Sequence, residues 1–372
     1  MIEINRTDKS LLANWWWTVD RWSIAAFLTL IAIGVVMSFA ASPAMALRND
    51  YPVFHYVYKN LVFLPVAVGI LFSSSLLSPR QIQLLGFVLL GVATFLLGLT
   101  LLVGSEVKGA QRWLPLGAFS IQPSEFVKPA FVIVVAWLFA RRNTHPAFHG
   151  NVIALGLLAF IIALLILQPD FGQVMLLFII WGGMFFMSGV SLAWVAFLGT
   201  IGLAGVYAAY IHMPHVASRI DRYLNPETGD TYQVDKALEA IRSGGLVGVG
   251  PGEGTIKRSI PDAHTDFIFA VTGEEFGLVA CLLLVFIFGL VVVRGLSRAM
   301  AERDPFAQLA ASGLVVLFGS QTLINLGVNL QLLPAKGMTL PFISYGGSSL
   351  LATALTVGML LALTRRRPSV MR

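Results

Sequence analysis

Charge is scarce in this sequence. Asp, Glu, Lys and Arg make up 12% of its 372 residues, against about 25% in a typical soluble domain. With 57% hydrophobic residues and a mean hydropathy of +0.80, that shortage excludes a soluble globular chain and leaves a polytopic membrane protein. Cysteine is scarcer still: the single Cys281 lies inside an apolar run. A disulfide framework and a cysteine metal site are therefore excluded, and the residue reads as a small buried hydrophobe. Acids are outnumbered, 19 against 25 Lys and Arg, for a net charge of +6 and a pI near 9.6. In a membrane chain a basic excess reports orientation first, and no nucleic-acid partner is expected.

Long apolar runs are what the chain has in abundance. Ten are long enough to span a bilayer, at roughly 22–41, 61–77, 82–103, 124–140, 151–167, 172–189, 191–213, 267–293, 306–330 and 344–364. The expected fold is an all-α polytopic membrane protein: a ten-helix domain over 22–364, a large extracytoplasmic loop at about 214–265, and cytoplasmic tails 1–21 and 365–372. With the N-terminus inside, thirteen basic residues flank the inner helix ends, among them Arg21, Arg141, Arg142, Arg294, Arg298 and Arg303, and five lie in the short outer loops. That bias places both termini in the cytoplasm. Trp15, Trp16, Trp17 and Trp22 mark the inner interface of the first helix, and Tyr51, Phe54, Tyr56 and Tyr58 an outer aromatic belt. Ala44-Met45-Ala46 resembles a signal-peptidase site, but the run before it is longer than the usual 7 to about 15 residues, so it reads as a retained helix.

Polar residues gather at a few places. In Pro261-Asp262-Ala263-His264-Thr265-Asp266-Phe267, followed by Glu274-Glu275, four acids and a histidine crowd the start of the eighth run. An acid inside a bilayer costs about 2.5 to 3.5 kcal/mol even on lenient scales, which makes such a group a candidate for function. Glu274 and Glu275 equally suit a helix end at the water interface. On an ideal helix, Ala270, Gly273 and Gly277 lie within about 40° of Asp266, which would then head a groove of small residues. Before the motif, Val234, Leu238 and Ile241 at i, i+4, i+7 predict a short amphipathic helix on the membrane surface. The glycines from Gly244 to Gly254 lack the βαβ setting of a nucleotide loop and read as a flexible or substrate-shaping segment.

The fourth run opens with Glu125 and Lys128 at i, i+3, followed by Pro129. These two either pair to fix packing or contribute to a site. Gln168-Pro169-Asp170-Phe171-Gly172-Gln173 reads as a tight turn. Gln321, Asn325 and Asn329 form an i, i+4, i+8 polar stripe that bonds neighbouring helices or lines a wet cavity. Ser344-Tyr345-Gly346-Gly347-Ser348-Ser349 opens the last run as either an anion site or a serine cap. All these groups fall at outer helix ends. A site built from them would take an amphiphilic, anionic, extracytoplasmic ligand, with Arg112, Lys128 and Lys336 supplying positive potential.

Over nearly its whole length the chain resembles the SEDS family (shape, elongation, division and sporulation). The matching stretches are Gly109 to Trp113, Ile121 to Lys128, Gln168 to Gly172, Asn225-Pro226, Gly244-Gly245, Pro261 to Gly277, Asn325 to Pro334 and Pro341 to Ser349. Two positions depart from it: Pro261-Asp262 replaces the usual Pro-Glu, and Gly250-Pro251-Gly252 stands where Gly-Leu-Gly is more common. Leu333-Pro334-Ala335-Lys336-Gly337 is closer to the division members than to the elongation members.

The resemblance implies a ten-helix peptidoglycan glycosyltransferase of the bacterial inner membrane. It would polymerise lipid II at the septum, beside a class B penicillin-binding transpeptidase and other division proteins, within membrane lipid. The motif aspartate on which activity depends in the family corresponds to Asp266, expected to act as the base or to orient the acceptor. Lys128, Glu125, Arg112, Arg219, His264, Asn325, Lys336, Ser344 and Ser348 are the residues expected to bind the diphosphate or the rest of lipid II. No cofactor is called for; a divalent cation is compatible with a diphosphate leaving group, although no ligand cluster indicates one. A lipid II flippase, an elongation polymerase and a non-catalytic division scaffold are the competing readings.

Overall fold

Within a bilayer every backbone amide and carbonyl must be satisfied inside the protein, so long apolar runs fold as helices. A computed structural model describes residues 10–107, 110–117, 119–145, 147–224, 232–334 and 337–366. Its helices are α1 (Leu11–Thr18), α2 (Arg21–Arg48), α3 (His55–Ser75), α4 (Pro79–Val103), α5 (Pro123–Thr144), α6 (Gly150–Leu167), α7 (Phe171–Met187), α8 (Leu192–His212), α9 (Pro214–Leu224), α10 (Tyr232–Ser243), α11 (Ile268–Met300), α12 (Pro305–Asn329) and α13 (Gly347–Leu363). Eight are long and apolar enough to cross a membrane; α7 and α13 are apolar but shorter, 17 residues each. Each of the ten expected runs thus contains one apolar helix.

The chain is not wholly helical. Between α4 and α5 lie β1 (Ser105–Val107), β2 (Ala110–Leu116) and β3 (Phe119–Ile121), an antiparallel sheet in that order. Its register sets Glu106 opposite Gln111 and Leu114 opposite Ile121.

Helices α5 and α12 form the buried centre, packing on each other and against α4, α7, α11 and α13. By contrast, α8 buries only Ala209. Ala44-Met45-Ala46 lies within α2, with Ala46 fully enclosed. At one end of the bundle the two ends of the described chain meet: Arg365 Nε donates to Thr18 Oγ1 and Arg366 N to Thr18 O, both at 3.0 Å. The opposite, loop-bearing end carries the sheet, the 168–170 turn and residues 213–224, 232–267, 330–334 and 337–346, so the described polar clusters share one end.

At 33 residues, α11 would be about 50 Å long if straight, well beyond a hydrocarbon core of about 30 Å. It breaks at Gly277, whose φ of 76° and ψ of −175° leave the helix; glycine tolerates that conformation without a steric penalty. The glycine-rich segment fills the break. Val249 N and Gly250 N donate to the Glu274 and Glu275 carbonyls at 2.9 and 3.1 Å, and Leu278 N and Val279 N donate to the Gly245 and Leu246 carbonyls at 2.9 and 3.1 Å. Gly248 passes so near that a β-carbon there would lie 2.1 Å from the Glu275 carbonyl oxygen. Of the two readings, flexible or substrate-shaping, free flexibility does not hold: the segment is hydrogen-bonded into α11. Helix α10 packs on the start of α11 through Ala237, Ala240 and Ile241 instead of resting only on the membrane surface.

Candidate functional site

The His264–Phe267 stretch is a turn outside α11, not the first part of it. Its amides converge on one acceptor, with Thr265 N, Asp266 N and Phe267 N donating to the Asp262 carbonyl at 3.0, 3.1 and 3.4 Å. Asp262 has a φ of 59°, a left-handed conformation in which aspartate is enriched among non-glycine residues. The shorter carboxylate that departs from the family pattern therefore suits a left-handed hub in the backbone.

Three successive carbonyls of the turn are gripped from outside. Tyr345 N donates to His264 O at 2.9 Å, Ser344 Oγ to Thr265 O at 2.5 Å, and Asn325 and Asn329 Nδ2 both to Asp266 O at 2.9 Å. Asn325 also donates to Met338 O at 2.6 Å, tying the stripe on α12 to the segment after it. His264 is buried between the rings of Tyr56 and Tyr345, with centroids 4.8 and 5.3 Å away. Burial, and then the nearby Tyr56, push the Tyr345 hydroxyl up to about 12, so it is neutral at physiological pH. The Asp266 side chain is half-buried and faces Gly337: a β-carbon on that glycine would stand 3.3 Å from Oδ2.

From Gly337 to Thr339 is two residues, about 7 Å of extended chain. At Thr339 a second polar group begins. Gln321 Nε2 donates to Thr339 O at 3.1 Å and Gln321 Oε1 accepts from Lys128 Nζ at 3.1 Å. Lys128 pairs with Glu125 at 2.8 Å, and Gln173 Nε2 donates to the same carboxylate at 3.0 Å. Both charges are buried, where an unpaired ion would cost several kcal/mol. A small cavity, about 10 Å³ and thus room for one water, adjoins Glu125, Lys128, Gln321, Thr353 and Thr356.

The remaining expected site residues are distributed as follows. Arg112 on β2 holds the 168–170 turn, with Nε 3.4 Å from Gln168 O and 3.5 Å from Asp170 Oδ2 and a further bond to Pro169 O. Burial outweighs that attraction, so Asp170 titrates above the usual carboxylate range. Ser344 Oγ also accepts from Leu340 N at 2.8 Å, and Ser348 Oγ accepts from Gln122 N at 3.1 Å. Helix α13 starts at Gly347, just after Ser344 and Tyr345, which bind the motif turn. The Arg219 side chain and all of Lys336 lie outside the described residues.

Lys257 is a residue that sequence reasoning missed. It is buried, donates to Ala40 O at 2.8 Å and pairs with Glu275. Glu274 accepts from Ile256 N and Lys257 N at 2.7 and 2.9 Å. Glu274 and Glu275 are thus enclosed clasps for the loop and not helix ends at the water interface. The available signal was a lone lysine in the last stretch of polar loop before two acids.

Residues 21–368 match the family model for the FtsW, RodA and SpoVE group, described as "Cell cycle protein". A Caulobacter vibrioides protein named "Probable peptidoglycan glycosyltransferase FtsW" is 47% identical over 367 residues, covering 98% of this chain and 93% of that protein. "Stage V sporulation protein E" of Bacillus subtilis is 34% identical over 346 residues, covering 91% and 94%. Among solved structures, Thermus thermophilus rod shape determining protein RodA superposes with a TM-score of 0.70 at 30% identity, over 94% of this chain and 97% of that one. A chain of a structure described as "Structural coordination of polymerization and crosslinking by a peptidoglycan synthase complex" reaches 0.78 at 28% identity, over 93% and 97%. The resemblance carried by the motif turn and the 341–349 segment is borne out across nearly the whole chain, which belongs to the FtsW/RodA/SpoVE family.

Proposed function

We propose that this chain is a peptidoglycan glycosyltransferase that polymerises lipid II into glycan strands during cell division. The observation that carries the reading is the Asp266 turn: a half-buried carboxylate held through its own backbone by α12, beside Gly337. Glu125, Glu274 and Glu275 hold buried ion pairs and loop amides, and the motif acid Asp266 is assigned the proton transfer. In this reaction Asp266 takes the proton of an acceptor sugar hydroxyl as its oxygen bonds to the anomeric carbon of the donor. The bond from that carbon to the diphosphate breaks on the opposite face, and undecaprenyl diphosphate leaves with the electron pair. The departing charge is stabilised by the positive potential of Arg112, Lys128, Arg219 and Lys336. Asn325, His264, Ser344, Ser348 and Glu125 shape the site that receives lipid II.

The same reading puts the enzyme in the bacterial inner membrane at the septum, with ten spans including α7 and α13, both termini in the cytoplasm, and a class B penicillin-binding transpeptidase as partner. The 47% identity to a protein named as FtsW favours division over elongation. The test is purified chain and that partner with labelled lipid II in detergent. Glycan polymer formed without a membrane potential supports the enzyme. Transport of lipid II across vesicles without polymer, or partner binding alone, rejects it.

A further inference from the structure

Asn329 is fully enclosed, 0% exposed, so it has no access to a substrate. Its amide nevertheless occupies a telling position. In a continuous α-helix, Ala270 N would donate to the carbonyl four residues earlier, that of Asp266. Here the Asn329 side chain stands between the two: Oδ1 accepts from Ala270 N at 3.1 Å, and Nδ2 donates to Asp266 O at 2.9 Å. One helical hydrogen bond is thereby replaced by two bonds to a side chain. Ala270 N turns in addition to Phe267 O at 3.0 Å, and Asp266 stays in the turn outside α11. Asn329 is itself fixed, since Nδ2 also donates to Asn325 O at 2.9 Å.

We propose that Asn329 is a positioning residue for the transfer reaction, acting as an amide splice that keeps α11 from winding back through Asp266. Without the splice, Ala270 N loses its side-chain acceptor and Asp266 O keeps only the Asn325 amide, so nothing stands between the two and the helical bond can form. The helix then gains a residue or two at its start, and the Asp266 side chain rotates from its place beside Gly337 onto the helix surface. A shift of about 1 Å in a reacting group costs on the order of 100-fold in rate. The inference rests on Asp266 being the base.

The test uses the full chain with its transpeptidase partner and labelled lipid II. Asn329→Leu keeps the volume and removes the splice; Asn329→Ala, smaller, serves if the leucine protein does not fold. The expected result is a 10-fold to 100-fold fall in kcat with KM within about twofold, in protein that melts cooperatively. In an Asp266→Asn background the same change produces no further loss, because it acts only through Asp266. Backbone hydrogen exchange over residues 265–270 slows in the variant as the helix extends. A folded variant with wild-type kcat, or losses that multiply in the Asp266→Asn background, overturns the splice and leaves the catalytic reading intact. Wild-type polymerisation by Asp266→Asn itself overturns both.

Discussion

Arg294, near the terminal end of α11, forks onto Asp20: its Nε and Nη2 donate to the two carboxylate oxygens at 2.5 and 2.6 Å. Ser23 Oγ adds a bond at 2.7 Å and Arg298 approaches to 3.5 Å. This pair joins the segment between α1 and α2 to the far end of the helix whose other end follows the Asp266 turn.

Burial raises the Asp20 carboxyl, but the bonds from Arg294 and Ser23 and the charges of Arg294 and Arg298 outweigh it, holding Asp20 below the usual carboxylate range. A depressed carboxylate contributes stability above its unfolded pKa, and that contribution is lost as pH falls through the lower folded value. Asp20→Asn is therefore expected to destabilise the protein by about 1 to 3 kcal/mol at pH 7. The gap from wild type narrows once the pH drops below about 4. Thermal melts at pH 7 and pH 3 check this; equal melting at pH 7 rules it out.

The Lys257–Glu275 clasp predicts a different pattern. Glu275 is enclosed, so Lys257→Met leaves a buried charge with the Gly252 amide, 3.0 Å away, as its remaining bond. A loss of about 3 to 5 kcal/mol is expected. Adding Glu275→Gln removes the stranded charge and restores most of it. Limited proteolysis between Leu246 and Arg258 reads out the loop directly, and unchanged cleavage in Lys257→Met counts against the clasp.

Lys128 separates charge from packing. Lys128→Arg preserves positive charge beside Glu125, whereas Lys128→Met strands that acid. The double variant Glu125→Gln/Lys128→Met should fold nearly as well as wild type, because removing both buried charges is often neutral. If positive potential at this depth serves the departing diphosphate, the double variant still polymerises lipid II more slowly than Lys128→Arg. Full polymerase activity in the folded double variant would assign the pair to packing alone.

Much of the molecule was legible because membrane helices announce themselves: hydropathy alone located all ten apolar helices, and the i, i+3 spacing of Glu125 and Lys128 anticipated their bond. The ideal-helix groove below Asp266 failed for a physical reason. Residue 266 lies outside the helix and Gly277 breaks it, both through bonds to distant segments that periodicity does not encode. The same cause hid Lys257, whose partners Ala40 and Glu275 come from separate helices. The short sheet over 105–121 was missed because its strands of three, seven and three residues are too brief to show alternation.

Orientation is tested with single cysteines at two exposed positions, Glu253 in the loop bonded to Glu274 and Glu275 and Ala301 at the far end of α11. The native Cys281 is buried and gives little background. With cytoplasmic termini, a membrane-impermeant maleimide labels position 253 from outside intact cells and labels position 301 only after permeabilisation. Labelling of both positions from one side removes the extracytoplasmic placement of the site.

Asp266→Asn is the sharpest test of the chemistry. Asparagine keeps the size of aspartate and leaves unchanged the backbone carbonyl that Asn325 and Asn329 hold, so the turn should persist. What it lacks is the ability to take a proton at neutral pH. Loss of a general base costs about 100-fold to 10,000-fold, and a fall of that size is expected in lipid II polymerisation by purified protein with its transpeptidase partner. Insertion, melting temperature and partner binding should stay close to wild type. Asp262→Asn is the control: it keeps the backbone carbonyl at the hub of the turn, in a left-handed conformation that asparagine also adopts, and the loss should be within a few-fold. Wild-type polymer yield from Asp266→Asn would make the residue structural. Equal losses from both variants would place the requirement in the shape of the turn and not in the Asp266 carboxylate.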